Sequence, residues 1–119
     1  METIKVMHVK VGETPKMIEV AAVLENKQKL VGGWLECVRL PYNIDLWINE
    51  EGLLLDLDLN FVTAVIDKGK PQIVHHIVGD VYFASHDGEG NTVSLNFYQQ
   101  RIIREMFKVH REILLVRED

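Results

Sequence analysis

A chain of 119 residues is long enough to bury one core but not two, and 47% hydrophobic against 26% charged residues is the balance of a folded domain, not a disordered segment. A formal net charge of −5, with Lys and Arg scattered along the chain, makes nucleic acid and anionic membranes poor partners. The single cysteine, Cys37, has no internal disulfide partner and fits a reducing cytoplasm; no basic, apolar leader opens the sequence, and no run approaches the ~20 apolar residues of a membrane span.

In chain order, Ile4 to Val11 is rich in β-branched residues and reads as a strand, Gly12 to Pro15 as a turn, and Lys16 to Val20 as a second, short strand. Ala21 to Val31 carries helix formers, with Lys27 interrupting the apolar stripe, and Gly32-Gly33 supplies a left-handed helix cap. Trp34 to Leu40, Ile44 to Asn49 and Leu53 to Asn60 read as three strands of a meander, joined by turns at Pro41-Tyr42-Asn43 and Glu50-Glu51-Gly52. Phe61 to Ile66 is ambiguous by periodicity and Asp67 to Pro71 is a loop. Ile73 to His86 reads as one long strand with a bulge at Gly79, and Asp87 to Asn91 as a turn.

The C-terminal stretch reads as a helix over about 96–114. Asn96 with Gln99 three residues on has the spacing of a capping box, and Ile102, Met106, Val109 and Ile113 repeat at helical spacing, widened by Ile103 and Phe107. The expectation is a single α+β domain over 1–119: a mostly antiparallel twisted sheet, one face covered by the helix ending at Gly32-Gly33 and the C-terminal helix. The apolar tail Ile113 to Val116 should pack back on the sheet or form a homodimer contact.

The series Leu30-Val31-Gly32-Gly33-Trp34, Asn49-Glu50-Glu51-Gly52, Asn60 and Gly79-Asp80 resembles a family of small phage- and plasmid-borne proteins, domain of unknown function 3846, from about Val11 to Phe107. The resemblance implies an origin on a mobile element but no settled activity. The chain departs from the family pattern at Lys27, Asp56, Asp58 and Phe61, where leucine, glycine, proline and arginine are usual.

Motifs for catalysis and metals fail on spacing. His75 and His76 are adjacent on a strand and point to opposite faces, so they cannot share an ion; one buried and one exposed ring is expected. Asp56, Asp58 and Asn60 begin like a calcium loop, but Phe61 and Asp67 stand where glycine and glutamate are required. Ser85, Ser94 and Cys37 lack a nucleophile elbow or paired base, His86-Asp87 lacks the further ligands of a metal phosphohydrolase, and Gly88-x-Gly90 lacks the lysine of a phosphate loop. Neither a metal nor a cofactor is expected.

Strand alternation is more suggestive. It sets Ile44, Leu46 and Ile48 against Asp45, Trp47 and Asn49; it puts Asp56, Asp58 and Asn60 on one face and Asp80, Tyr82 and His86 on another. If these polar sides coincide, the sheet presents an acidic face with embedded aromatics, the kind of surface on which Trp and Tyr become hot spots. The favoured reading is a cytoplasmic accessory protein that binds a host protein with a basic surface, in counter-defence or host redirection, without catalysis. The alternatives are a sponge for a nucleotide-like signal, stacked on an aromatic with Asn49 or Asn60 reading its edge, and a hydrolase with an unrecognised site. Phosphates would be repelled by Asp45, Asp56, Asp58 and Asp80 unless Arg39, Lys68, Arg101 or Arg104 came to the same place.

Overall fold

The computed structural model describes residues 2–107 and 110–116. Its elements are β1 (Thr3–Val9), β2 (Lys16–Ala21), α1 (Leu24–Val31), β3 (Leu35–Leu40), β4 (Ile44–Asn49), β5 (Leu59–Asp67), β6 (Lys70–Val78), β7 (Val81–His86), β8 (Thr92–Val93), α2 (Phe97–Met106) and β9 (Ile113–Leu115). The fold is α+β. A large antiparallel sheet runs β2-β1-β7-β4-β3, with β8 on the end of β7, and a small sheet runs β6-β5-β9.

The decisive placement is β7, which lies between β1 and β4 and pairs antiparallel with both. β4 therefore has β3 on one edge and β7 on the other, and no edge remains for the next strand of a meander. This overturns the strand expected over Leu53 to Asn60, of which only Leu59 and Asn60 are extended, as the start of β5. Residues 50–56 instead coil into a tight turn, with Leu55 N–H donating to Glu51 O at 2.9 Å and Leu57 N–H to Gly52 O at 3.1 Å, while Asp56 takes a left-handed φ of 54°. The Leu/Asp alternation of 55–58 has the period of a strand, but a period needs a free edge to become one.

The long strand expected over Ile73 to His86 is two strands in two sheets. The chain leaves β6 and enters β7 through Gly79, whose φ of +75° admits glycine readily and whose Cα faces Leu57 so closely that an added Cβ would lie 2.7 Å from Leu57 Cδ1. The stretch from Phe61 to Ile66 is the middle of β5, and the loop shrinks to a two-residue hairpin, Lys68-Gly69, with both φ positive.

α1 begins at Leu24, three residues later than expected, because Ala21 still belongs to β2 and Ala22 N–H bonds Glu2 O at 3.0 Å. It ends as the glycine pair predicts: Gly32 is left-handed, and its N–H donates to Gln28 O at 2.9 Å. α2 opens on the predicted capping box, Asn96 Oδ1 accepting from Gln99 N–H at 2.7 Å and Gln99 Oε1 accepting from Asn96 N–H at 3.0 Å. It stops at Met106, not near 114. Ile113 to Leu115 form β9, parallel to β5, with Leu114 fully buried opposite Thr63; Val109 of the expected stripe lies outside the described residues. The tail thus packs back into the core.

The helices lie on opposite faces of the large sheet, a second correction. α2 and the small sheet close the face of Met7, Val9, Ile44, Leu46, Val81 and Phe83, where Phe61 stacks on Phe83 at 6.2 Å and Phe107 meets both edge-on. α1 closes part of the other face over Ile4, Val6, Tyr82 and Ala84. Each face therefore carries a helix, and the acidic-aromatic side is partly closed rather than an open plate.

Deleting residues 110–119 removes Leu114 from the core together with β9. A fully buried leucine stabilises by about 1.5–3 kcal/mol, so we expect a loss of at least about 2 kcal/mol, read as a lower urea midpoint; an unchanged midpoint would contradict the packing of β9.

Candidate functional site

Alternation assigns β4 and β7 as predicted: Asp45, Trp47, Tyr82 and His86 share the α1 face. The β3–β4 register adds two residues to it, because Cys37 is the cross-strand partner of Trp47 and Arg39 that of Asp45. Trp47 and Tyr82 stack with centroids 6.3 Å apart and planes at 19°. Asp45, 1% exposed, lies 3.2 Å from Arg39 Nη1 and 3.0 Å from His86 Nδ1, and Arg39 Nη1 lies 2.7 Å from the same His86 nitrogen. A neutral His86 can either donate from Nδ1 to Asp45 or accept there from Arg39, so its tautomer decides which bond it makes. Either way the buried carboxylate faces a cation, as a buried charge must.

Burial governs the two weakly acidic groups of this row. Desolvation, with the Asp45 charge adding to it and Arg39 opposing it, pushes the Cys37 thiol above its ordinary range. Burial, and secondarily Cys37, pushes the Tyr82 hydroxyl well above that of a free phenol. Both stay protonated at neutral pH. Cys37 is thus a poor nucleophile in the folded protein.

The remaining residues of the expected face do not join it. Asn49 and Asn60 are buried and spent on backbone: Asn49 Nδ2 donates to Val31 O at 3.2 Å and its Oδ1 accepts from Glu51 N–H at 2.8 Å; Asn60 Nδ2 donates to Val9 O at 2.8 Å and Gly79 O at 2.9 Å. Both are buried, so neither presents an edge with which to read a base. Asp80 Oδ1 accepts from Val11 N–H at 3.0 Å at the end of β1. Tyr82 is 0% exposed, so it is no docking ring. Asp56 and Asp58 are exposed, but on the 50–58 segment and not on the large sheet. His75 and His76 are both exposed on β6, rather than one buried and one exposed, because no layer covers either face of that strand there.

The glycine and asparagine series therefore builds the fold. Gly33 gives Asn49 room, since a Cβ there would lie 2.9 Å from Asn49 Nδ2. Gly52 sits buried in the 50–56 turn, its N–H on Asn49 O. Trp34 is the exception: it is 61% exposed, and its carbonyl accepts from Glu50 N–H at 2.8 Å. That bond sets it beside the turn whose Leu53, Leu54 and Leu55 are 76%, 85% and 55% exposed, with Glu50, Glu51, Asp56 and Asp58 exposed around them. Four carboxylates and no cation occupy residues 50–58. This acidic, leucine-rich turn is a surface that the sequence pattern does not announce, because Leu53 to Asn60 has the alternation of a strand.

The chain belongs to the family described as a domain of unknown function, DUF3846, whose sequence pattern matches residues 4–108. No curated protein and no solved structure matches it. Among the described residues no helix is long and apolar enough to cross a membrane, and no three His, Cys, Asp or Glu are grouped to hold a metal ion.

Asn60→Asp keeps shape but removes the donor that serves two buried carbonyls; with each unmet group costing about 1–3 kcal/mol, the urea midpoint should fall by the equivalent of about 3 kcal/mol. Cys37 should react with iodoacetamide at pH 8 on the order of tenfold more slowly in the folded protein than in the urea-unfolded chain; equal rates would mean that the thiol is neither desolvated nor raised.

Proposed function

We propose that this DUF3846 member is a mobile-element accessory protein that works by binding a protein of its host, without catalysis of its own, and that its docking element is the 50–58 turn with Trp34. The observation that carries the reading is the exposure of Leu53, Leu54 and Leu55 in a turn that folds without them. The turn is anchored by Leu57, packed against Gly79 and Gly52, and by the Asn49 cap. Three leucines facing water contribute nothing to that anchor, and a contiguous apolar patch ringed by charge is the usual form of an interaction surface.

The chemistry of the turn defines the partner. Leu53 to Leu55 call for an apolar groove, and the carboxylates of Glu50, Glu51, Asp56 and Asp58 call for a basic rim around it. Such charges act mainly on the rate and salt dependence of association, whereas the apolar anchors set its lifetime. The partner class this chemistry suits is a host protein with a basic surface, met at the turn and not on the large sheet.

Replacing Leu53, Leu54 and Leu55 by serine should abolish capture of the partner from host extract, since truncating hot-spot anchors costs on the order of 2 kcal/mol or more each, while the melting temperature holds or rises. Asp56→Lys with Asp58→Lys should slow association and flatten its dependence on salt. Undiminished capture by the serine variant would refute the assignment.

A further inference from the structure

The stacked pair on the α1 face has an unmet requirement. Trp47 Nε1 and Tyr82 Oη are both buried and both lack a hydrogen-bond partner within the protein. Tyr82 is 0% exposed, and buried polar side-chain atoms are nearly always bonded. The two rings are cross-strand partners and stack on each other, whereas the third buried atom without a partner, Thr63 Oγ1, lies on β5 in the small sheet.

The character of the place follows from what surrounds it. Along the strand row run Tyr82, Trp47 and Cys37; in the next row Asp45 and Arg39 are cross-strand partners. Trp47 and Cys37 are half-buried and the Arg39 side chain is 60% exposed, so the row opens to solvent at the β3 side while Tyr82 closes it from within. Arg39 commits Nη1 to Asp45 and His86, which leaves Nε and Nη2 without a partner among the described residues. Asp45 has both oxygens against Arg39 and His86, so its charge is matched locally. An indole N–H can only donate, a phenol O–H donates readily, and the free guanidinium nitrogens can only donate. The unmet groups and the free guanidinium nitrogens therefore all ask for an acceptor, while the Arg39 charge itself is paired with Asp45.

We propose that this end of the α1 face is an oxyanion-binding site. A small ligand presents a carboxylate or phosphate group, one oxygen accepting from Trp47 Nε1 and Tyr82 Oη and a second from the free N–H fork of Arg39. The site takes the ionised head group and leaves the rest of the ligand in solvent beyond Arg39. It is independent of the leucine turn, so the two assignments stand or fall separately.

The test uses Trp34→Phe as background, which leaves Trp47 as the only indole. Sodium phosphate and sodium acetate are titrated against sodium chloride at constant ionic strength, following Trp47 emission and melting temperature. We expect a saturable change in both with at least one of the two oxyanions, half-complete in the millimolar range, and none with chloride; the phosphate and acetate arms identify the head group. Tyr82→Phe and Arg39→Gln should each weaken binding at least fivefold. Tyr82→Phe should also leave the ligand-free melting temperature unchanged or higher, because the hydroxyl has no bond to lose. The proposal fails if neither oxyanion gives a saturable response, if Tyr82→Phe binds with unchanged affinity, or if Tyr82→Phe lowers the ligand-free melting temperature, which would show the hydroxyl already satisfied by internal water. Should Tyr82→Phe not fold, Arg39→Gln decides alone: unchanged affinity there overturns the site.

Discussion

One side-chain amide holds the two sheets in register. Asn60 Nδ2 bonds Val9 O at the end of β1 and Gly79 O at the corner between β6 and β7, and its Oδ1 accepts from Arg111 Nη2 at 2.9 Å just before β9. Arg111 extends the clamp to Lys10 O at 2.8 Å and to Glu13 O. Four segments distant in sequence thus meet at a residue 2% exposed. The corner at Gly79 has no regular ladder to satisfy its carbonyl, so without Asn60 the passage of the chain from the small sheet to the large one would leave buried acceptors unbonded. With it, β7 can enter between β1 and β4, and every later feature follows from that entry.

The insertion of β7 has consequences on both faces. Centrally placed, it buries Val81 and Phe83 against α2 and the small sheet, and Tyr82 and Ala84 under α1. It brings His86 to Asp45, closing an ion-paired group that hairpin pairing alone would leave as Arg39 and Asp45. It also blocks the open edge of β4 and so throws residues 50–58 out of the sheet as an exposed, acidic, leucine-bearing turn. A buried polar row and an exposed apolar turn are two results of one topological event.

The motif residues divide accordingly. Gly32 and Gly33, Asn49, Gly52, Asn60, Gly79 and Asp80 serve caps, close approaches and backbone clamps, each bonded or packed within the fold. Polar residues of that kind are spent and have little left for a partner. Groups with unmet capacity lie elsewhere, in the leucines of the turn, in Trp34, in the unbonded donors of Trp47 and Tyr82, and in the Thr63 hydroxyl on β5. Shared architecture therefore carries little information about activity here, and the unspent groups carry more.

By itself the sequence determined what is local. The glycine cap of α1, the capping box of α2, the hairpin of β3 and β4, and the alternation that places Asp45, Trp47, Tyr82 and His86 on one face are all set within a few residues. Tertiary structure alone decided which strands are neighbours, because a period of two reports two faces but not which edge is free or what covers each face. Leu55 to Asp58 kept their alternation and lost their strand because β7 had taken the edge. Ile113 left the helical stripe because an open edge of β5 offered its backbone a ladder and Leu114 a buried place opposite Thr63. Local preferences are worth tenths of a kcal/mol per residue, and the burial of a single leucine outweighs several of them.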